Sequence, residues 1–236
     1  MRILVINPNT SADMTEDIYQ SAVAAKQSAT EVSVTNPSHG PECVEGTSDE
    51  LMAAYHLLDI VREAESTDHF DAYIVACFGD PGIDALRELT DKPVIGVAEA
   101  AINLSSFISG KFSIVSILPR CLIHLEDLVR RYGGEKRLAS IKTPNIGVLD
   151  FHKDAESAKQ KLLSAADEAV REDFAEAVIL GCAGMSGFAD LVAGEIGVPV
   201  IDSVTAAVKV AESLVDMRLK TSKRNTYAPP TEKKYK

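Results

Sequence analysis

Short apolar segments alternate along the chain with longer segments in which apolar residues recur every three or four positions. The short segments are typical of buried strands, and the longer ones are typical of amphipathic helices. The predicted strands cover residues 2–6, 31–35, 72–76, 93–97, 112–117, 138–142, 176–181 and 198–201, and predicted helices include 14–26, 51–65, 83–90, 121–132 and 153–172. Strands that alternate with helices of this length predict βαβ units and parallel sheets, so the predicted fold class is α/β.

The second half of the chain repeats the pattern of the first. Residues 71–101 and residues 175–207 both contain an apolar strand, a Cys-x-Gly loop, a helix and a Pro-Val-Ile strand. More loosely, RILVINP from residue 2 resembles FSIVSILP from residue 112. The repeat predicts two pseudo-symmetric α/β halves, each with a parallel sheet, and a site in the cleft between them.

The boundaries of the two halves are predicted from the same repeat. The first half is expected to contain residues 1–105 together with a carboxyl-terminal tail, 208–236, and the second half residues 106–207. At 236 residues the chain is long enough for one to two domains, and its 46% hydrophobic and 25% charged residues argue against a disordered chain.

Cys77 and Cys182 occupy equivalent places in the two halves, each directly after a predicted strand. Ligands of parallel α/β sheets bind beyond the carboxyl ends of the strands. A helix amino terminus is expected just after each cysteine, where it would lower the pKa of the thiol, and the loop N–H groups would bind an oxyanion. A lone cysteine is usually a buried packing residue. Two matched ones instead suggest a base and an acid on opposite faces of a stereocentre, the requirement for racemisation without a cofactor.

Charge and short motifs narrow the function further. A net charge of −11 argues against a general nucleic-acid binder, and no apolar run approaches the ~18 residues of a membrane span. The amino terminus lacks a signal-peptide pattern, so we expect a cytoplasmic protein. The four cysteines form no CxxC pair and the five histidines no HxxxH or HExxH motif, so we expect no metal site. Nucleotide-binding glycine motifs are absent as well, and no cofactor is predicted.

Several segments of the chain resemble the aspartate/glutamate/hydantoin racemase superfamily, and within it the hydantoin racemases most closely. The resemblance covers essentially the whole chain, and it implies cofactor-independent racemisation of 5-monosubstituted hydantoins, with Cys77 and Cys182 as the acid/base pair, in a homo-oligomer of two-domain subunits. The segments that carry it are RILVINPNTS (2–11), NPSHGPECVEG (36–46), DAYIVACFGDPGIDALRELTDKPVIGVAEAA (71–101), FSIVSILPR (112–120), ILGCAGMSGFA (179–189) and TSKRNTYAPPTEK (221–233).

The residues beside the cysteines bear on the substrate. Amino-acid racemases of the superfamily have threonine, asparagine and glutamate there, which bind an α-carboxylate. In this chain those places hold small or apolar residues, which suit a neutral ring better than a carboxylate. The residues expected to line the site next to the cysteines are Phe78, Gly79, Ala183 and Gly184.

Further substrate-binding residues are expected from the other loops on the same side of the sheets. The side chain of Asn9 is a candidate ligand for a ring carbonyl or N–H, although Asn9 is equally suited to a helix cap or turn. Val44 or Glu45 is expected to line the site if residues 40–46 close over it, and plain turn chemistry explains that loop as well. Ser116 and Ile117 are the candidates in the second half.

Other interpretations remain open on the sequence. An allantoin racemase shares the two-thiol chemistry, a decarboxylase or isomerase of the superfamily would require a carboxylate-binding group, and a two-lobed binding or thiol redox protein would use no catalysis at all.

Cys43 and Cys121 lack repeat partners and are expected to be packing residues. Asp80 and Glu99 are expected to cap helices or lie on the surface. The basic tail from Arg218 is expected to be solvated or packed on a neighbouring subunit rather than bound to nucleic acid or a membrane.

Overall fold

The computed structural model describes residues 1–67 and 69–231, and it contains an α/β fold with two parallel four-stranded sheets. The strand order is the same in both sheets, β2-β1-β3-β4 and β6-β5-β7-β8. The strands are β1 (Arg2–Ile6), β2 (Glu31–Thr35), β3 (Ala72–Val75), β4 (Val94–Gly96), β5 (Phe112–Val115), β6 (Leu138–Lys142), β7 (Ala177–Leu180) and β8 (Val200–Asp202). The predicted fold class and the predicted parallel sheets are confirmed.

Helices connect the strands and follow the last strand of each half. They are α1 (Ala12–Ala25), α2 (Thr47–Thr67), α3 (Ile83–Leu89), α4 (Val97–Ile108), α5 (Leu122–Arg131), α6 (Asp150–Lys153), α7 (Ala155–Arg171), α8 (Ala189–Ile196) and α9 (Ser203–Asp216). Short 3-10 turns occur at Pro119–Cys121, Ala183–Met185 and Asn225–Tyr227. None of the helices in the described ranges is long and apolar enough to cross a membrane.

The duplication is visible in individual backbone hydrogen bonds. Ala76 N donates to Ile6 O at 2.9 Å, and in the second half Gly181 N donates to Val115 O at 2.8 Å. Both bonds join the residue that precedes a cysteine to the neighbouring central strand. Each cysteine therefore leaves its sheet at the same point and in the same direction.

Three of the predicted strands differ from the expectation of burial, and one of them is 198–201, in which Val200 and Ile201 are half-buried. Both β2 and β6 are edge strands of their sheets, and their residues are half-buried or exposed. The alternation of polar and apolar residues in EVSVT and the lysine at the end of LASIK fit an edge strand, which has one solvated side.

Helices α4 and α9 lie where the two halves meet. Helix α4 contacts α9 extensively and also reaches strand β7 of the second half, while α9 contacts α1 and strand β3 of the first half. One continuous apolar cluster runs from the first sheet (Ile74) through these helices to the second sheet (Ile114, Ile179). This buried interface holds the cleft together, and the exact domain boundaries stay a prediction.

The carboxyl-terminal tail packs on its own chain, on helix α3. Lys223 Nζ donates to the last carbonyl groups of that helix, those of Arg87 and Glu88 at 2.7 and 2.9 Å, and to Thr90 O at 3.2 Å. The Tyr227 hydroxyl donates to Asp84 Oδ1 at 3.1 Å. The last residues of the predicted basic tail, 232–236, lie outside the described residues.

Candidate active site

A cleft between the carboxyl ends of the two sheets encloses about 530 Å³ of space, including its opening to solvent. Both cysteine loops contribute to its lining. Its lining is Asn9, Met14, Val44, Glu45, Glu50, Ala76, Cys77, Phe78, Gly79, Ser116, Ile117, Cys121, His124, Leu125, Val148, Gly181, Cys182 and Ala183. All the predicted site residues except Gly184 are therefore brought together around one cavity.

The helix amino termini are farther from the cysteines than the sequence suggested. Helix α3 begins at Ile83 and α8 at Ala189, and Cys182 is followed first by the short 3-10 turn. Because the field of a helix end decays within its first turn, neither α-helix acts directly on a thiol. The expectation of a helix amino terminus just after each cysteine is wrong.

Burial dominates the electrostatics of both thiols. It raises the pKa of Cys77 above its ordinary value and raises the pKa of Cys182 to about 12. The backbone N–H groups of Gly79 and Gly184 oppose the shift by facing the thiol of their own loop. The pKa of both thiols is therefore raised by burial, opposite to the expected lowering.

Asn9 directs an amide group into the cleft. Its Oδ1 accepts from Asn7 Nδ2 and from Ser11 N, each at 2.9 Å. Its Nδ2 contacts the sulfur of Met14 at 3.4 Å, and a thioether is a weak acceptor. The cap of helix α1 is Ser11, whose side chain accepts from Met14 N. Asn9 therefore holds a turn through its oxygen and presents N–H donors to the cavity.

The loop of residues 40–46 crosses from the first half to the second. Glu45 Oε1 accepts from Val148 N at 2.9 Å, and the Cys121 thiol donates to Glu45 O at 3.5 Å. Val44 and Glu45 both line the cavity. The loop covers one side of the cleft, which agrees with the prediction that residues 40–46 close over the site.

The second-half candidates differ in how far they reach the cavity. Ser116 is buried and its hydroxyl donates to Gly181 O at 3.0 Å, so its hydroxyl proton is already engaged. Ile117 contributes an apolar wall. Gly184 does not line the cavity, because it packs behind Cys182 against Val148 O, which a Cβ would approach to 3.3 Å.

Two lining residues missed by the sequence reasoning, one from each half of the chain, form a pair beside the Cys77 loop. Glu50 lies in the first turn of α2 and His124 in the first turn of α5. His124 Nε2 lies 3.1 Å from Glu50 Oε1. Burial raises the pKa of Glu50, and the neighbouring histidine opposes that shift. Acidic residues are so common in first turns that the sequence offered no specific signal for this pair.

The Cys77 loop is joined to helix α4 by Asp80. Its carboxylate accepts from Ala98 N at 3.1 Å, from Glu99 N at 2.9 Å and from the Tyr132 hydroxyl at 2.8 Å. A Cβ at Gly96 would overlap this carboxylate, so the approach requires glycine. Burial raises the pKa of Asp80 to about 6. The predicted capping role agrees with this geometry, although the capped helix is not the one that follows the loop directly.

The other two cysteines pack beside the site. Cys43 and Cys121 are partly buried against the apolar cluster of the second half, and Cys121 also lines the cleft. Within the described ranges, no three His, Cys, Asp or Glu side chains lie together in a way that could hold a metal ion.

The sequence comparison agrees with this architecture. The profile of the Asp/Glu/Hydantoin racemase family matches residues 3–211. The chain belongs to this family. It is 56% identical over 235 residues to a hydantoin racemase of Paenarthrobacter aurescens, with both chains covered completely, and 46% identical to a hydantoin racemase of Pseudomonas sp. strain NS671, with 100% of this chain and 94% of the relative covered.

Solved structures of racemases superimpose on this chain. An allantoin racemase from Klebsiella pneumoniae superimposes with a TM-score of 0.97 at 40% identity, covering 100% of this chain and 96% of that one. An allantoin racemase from Pseudomonas fluorescens gives a TM-score of 0.95 at 40% identity, covering 100% and 99%. A glutamate racemase from Bacillus anthracis, at 15% identity and a TM-score of 0.67, covers 92% of this chain and 82% of its own and shares the fold. The enzyme is accordingly a racemase of this family.

Proposed function

We propose that the enzyme racemises 5-monosubstituted hydantoins without a cofactor, using Cys77 and Cys182 as its two acid/base groups. The observation that supports this proposal is the placement of two thiols at equivalent positions of two duplicated halves, both lining one cavity. A planar carbanion held between them is accessible to one thiol on each face, which is the geometry that inversion requires.

In the proposed mechanism one cysteine acts as a thiolate and removes the hydrogen at ring C5. The electron pair moves into the C4 carbonyl and forms an enolate. The other cysteine, as a thiol, protonates C5 from the opposite face, which inverts the centre and leaves the two thiols with exchanged protonation states. The opposite enantiomer uses the same groups in reverse.

The neutral ring fits the polar groups of the cleft. Asn9 Nδ2 donates to a ring carbonyl, and the loop N–H groups beside the cysteines stabilise the enolate oxygen. The side chains around them are apolar, among them Ile117, Leu125 and Val148. No arginine or lysine lines the cavity in the described part of the chain, so an α-carboxylate would lack a cationic partner there. This argues against an amino-acid substrate and against a decarboxylase.

The experiment is polarimetry on a panel of enantiopure 5-substituted hydantoins, with and without EDTA. We expect loss of optical rotation that EDTA leaves unchanged. A requirement for an added metal or cofactor would contradict the proposal, and so would an inactive enzyme that binds hydantoins without racemising them, which the non-catalytic interpretation predicts.

A second candidate substrate is allantoin, which is a hydantoin with a ureido group at C5. The similarity to two allantoin racemases at TM-scores of 0.97 and 0.95 favours it. Rates on allantoin and benzylhydantoin, measured side by side, separate a broad hydantoin racemase from an enzyme that prefers allantoin.

Assembly and location complete the proposal. We expect a homo-oligomer, because the family resemblance implies one, and the proposed location is the cytoplasm. Light scattering coupled to size exclusion tests the assembly, and a mass of one 25.3 kDa subunit would contradict it.

A further inference from the structure

The Glu50–His124 pair is the polar part of the cleft that the proposed chemistry leaves unused. His124 Nε2 is buried and lies 3.1 Å from Glu50 Oε1, but it has no hydrogen-bond partner of acceptable geometry among the described residues. Buried polar atoms without a partner are rare in folded proteins. This nitrogen is therefore available to a ligand.

The pair lies directly on the Cys77 loop. A Cβ built on Gly79 would come within 2.7 Å of Glu50 Oε1 and 3.4 Å of His124 Nε2. At the corresponding Gly184 in the second half, the three atoms nearest to such a Cβ are Val148 O, Cys182 Sγ and a ring carbon of Phe151, and none of them is charged. The pair thus stands on one side of the cleft only, beside the place where one thiol reaches the substrate.

The pair also marks the more open end of the cavity. The side chains of Glu50 and His124 are 21% and 38% exposed, whereas Asn9 is 3% exposed. Because C5 must lie between the two thiols, the ring fits toward the buried end at Asn9, and the substituent on C5 points toward the rim. Glu50 and His124 then face the outer end of that substituent.

We propose that Glu50 and His124 determine substrate specificity, favouring hydantoins whose C5 substituent ends in an amide or urea group. This inference rests on the proposed hydantoin racemase activity and narrows its substrate class. Such a group offers N–H donors to the Glu50 carboxylate and a carbonyl acceptor to His124 Nε2. Allantoin, with its ureido group, belongs to this class.

Solvation explains why an alkyl substituent of the same shape binds less well. An alkyl group at the rim displaces water from the carboxylate and the imidazole without replacing the lost hydrogen bonds. An amide of the same size replaces them. One such hydrogen bond corresponds to a difference of about tenfold in kcat/KM.

The test uses two substrates of nearly identical shape, 5-carbamoylmethylhydantoin and 5-isobutylhydantoin, with allantoin as a third. We expect the wild-type enzyme to prefer the carbamoylmethyl compound over the isobutyl compound by about tenfold or more in kcat/KM. His124→Leu and Glu50→Leu should remove or reverse this preference, chiefly because they raise KM for the carbamoylmethyl compound and allantoin more than KM for the isobutyl compound.

Rescue and control variants separate specificity from folding. His124→Gln places an amide N–H near the position of Nε2 and should restore most of the preference that His124→Leu loses. Glu126→Gln on the outer face of the same helix and His39→Gln on the surface should leave it unchanged, since both residues are exposed. Circular dichroism checks the fold of each variant.

Three results would overturn the inference. The first is a wild-type enzyme that racemises both matched substrates equally or prefers the isobutyl compound. The second is an equal loss of activity on all substrates in the leucine variants, which indicates a structural role. In both cases the racemase function stands. The third is the absence of racemisation of every hydantoin, which removes the proposed function together with the inference.

Discussion

In the first half of the molecule the loop after the catalytic candidate Cys77 contains Asp80, whose carboxylate accepts hydrogen bonds from the amino end of helix α4. In the second half the corresponding carboxylate belongs to the strand before the helix and not to the cysteine loop. Asp202, at the end of β8, caps helix α9 through Thr205 N at 2.8 Å and reaches back to the loop after Cys182 through Gly187 N at 3.0 Å.

The surroundings of the two loops differ as well. Tyr132 and the Glu50–His124 pair surround the Cys77 loop, so its neighbours are polar and titratable. The Cys182 loop packs into an apolar cluster that includes Met185 and Phe151. Duplication has preserved the position of the thiol and the backbone path, while the side chains that hold each loop have diverged. We therefore expect the two thiols to play equivalent chemical roles, whereas the side chains that hold the two cysteine loops in place differ.

The largest expected effect tests the symmetric part. Cys77→Ala and Cys182→Ala should each lower racemisation by about 10² to 10⁴-fold, because each removes one of the two proton-transfer groups. Polarimetry measures the loss and circular dichroism checks the fold. Cys43→Ala is the matched control and should remain within about threefold of wild type, since its sulfur does not line the cleft. Full activity in either of the first two variants would contradict the two-thiol mechanism.

The next effect tests the asymmetric support. Asp80→Ala leaves two backbone N–H groups and a tyrosine hydroxyl without their acceptor, and we expect a loss of about 3 kcal/mol in the free energy of unfolding. Asp202→Ala leaves two N–H groups unpaired and should lose about 2 kcal/mol. Urea unfolding measures both. A larger loss for Asp202→Ala would reverse the assignment of the stronger anchor to the Cys77 loop.

The pH dependence tests whether the two thiols share one electrostatic environment. Because burial raises the pKa of both, the thiolate required for proton abstraction is scarce at neutral pH and increases as the pH rises. We expect kcat/KM to climb from about pH 6 to about pH 9, by up to tenfold per pH unit, and iodoacetamide labelling of Cys77 and Cys182 to climb with it. A plateau of both quantities below about pH 7 would show that a thiol pKa is depressed instead.

The smallest effect concerns the carboxyl-terminal tail, which packs on helix α3 of the first half. Lys223→Met removes the ammonium group that binds the carboxyl end of α3 and should cost about 1 kcal/mol. Amide hydrogen exchange should become faster in α3 and remain unchanged in its counterpart α8. Lys220→Met, whose ion pair with Asp91 is exposed, should change stability by less than about 0.5 kcal/mol. Equal effects of the two variants on stability would show that Lys223 does not specifically stabilise helix α3.

Much of the fold was predictable because the strands are short and strongly apolar and because the chain repeats itself. The repeat singled out Cys77 and Cys182, since only these two cysteines have partners in a matched strand and loop. Helices α4 and α9 were not among the helices named from the sequence. Each begins directly after its strand, so the apolar residues of the strand continue into the helix without a visible boundary.

The rest of the site depends on contacts that the linear sequence does not display. Glu50 and His124 come from different halves and are not equivalent in the repeat, so only the tertiary fold brings them together. The same holds for Asp80, whose partner helix begins 17 residues later, at Val97. The thiol pKa values were mispredicted because the local helix ends were considered without the burial of the complete cleft.

The most direct test of the central claim is hydrogen exchange at C5 in D₂O, followed by NMR on each pure enantiomer with the single-cysteine variants. A variant that keeps one thiol can remove and return the proton on one face only. Cys77→Ala should therefore exchange deuterium into one enantiomer without inverting it, and Cys182→Ala should do so with the opposite enantiomer. Exchange of the same enantiomer by both variants, or inversion as fast as exchange in either, would contradict the account.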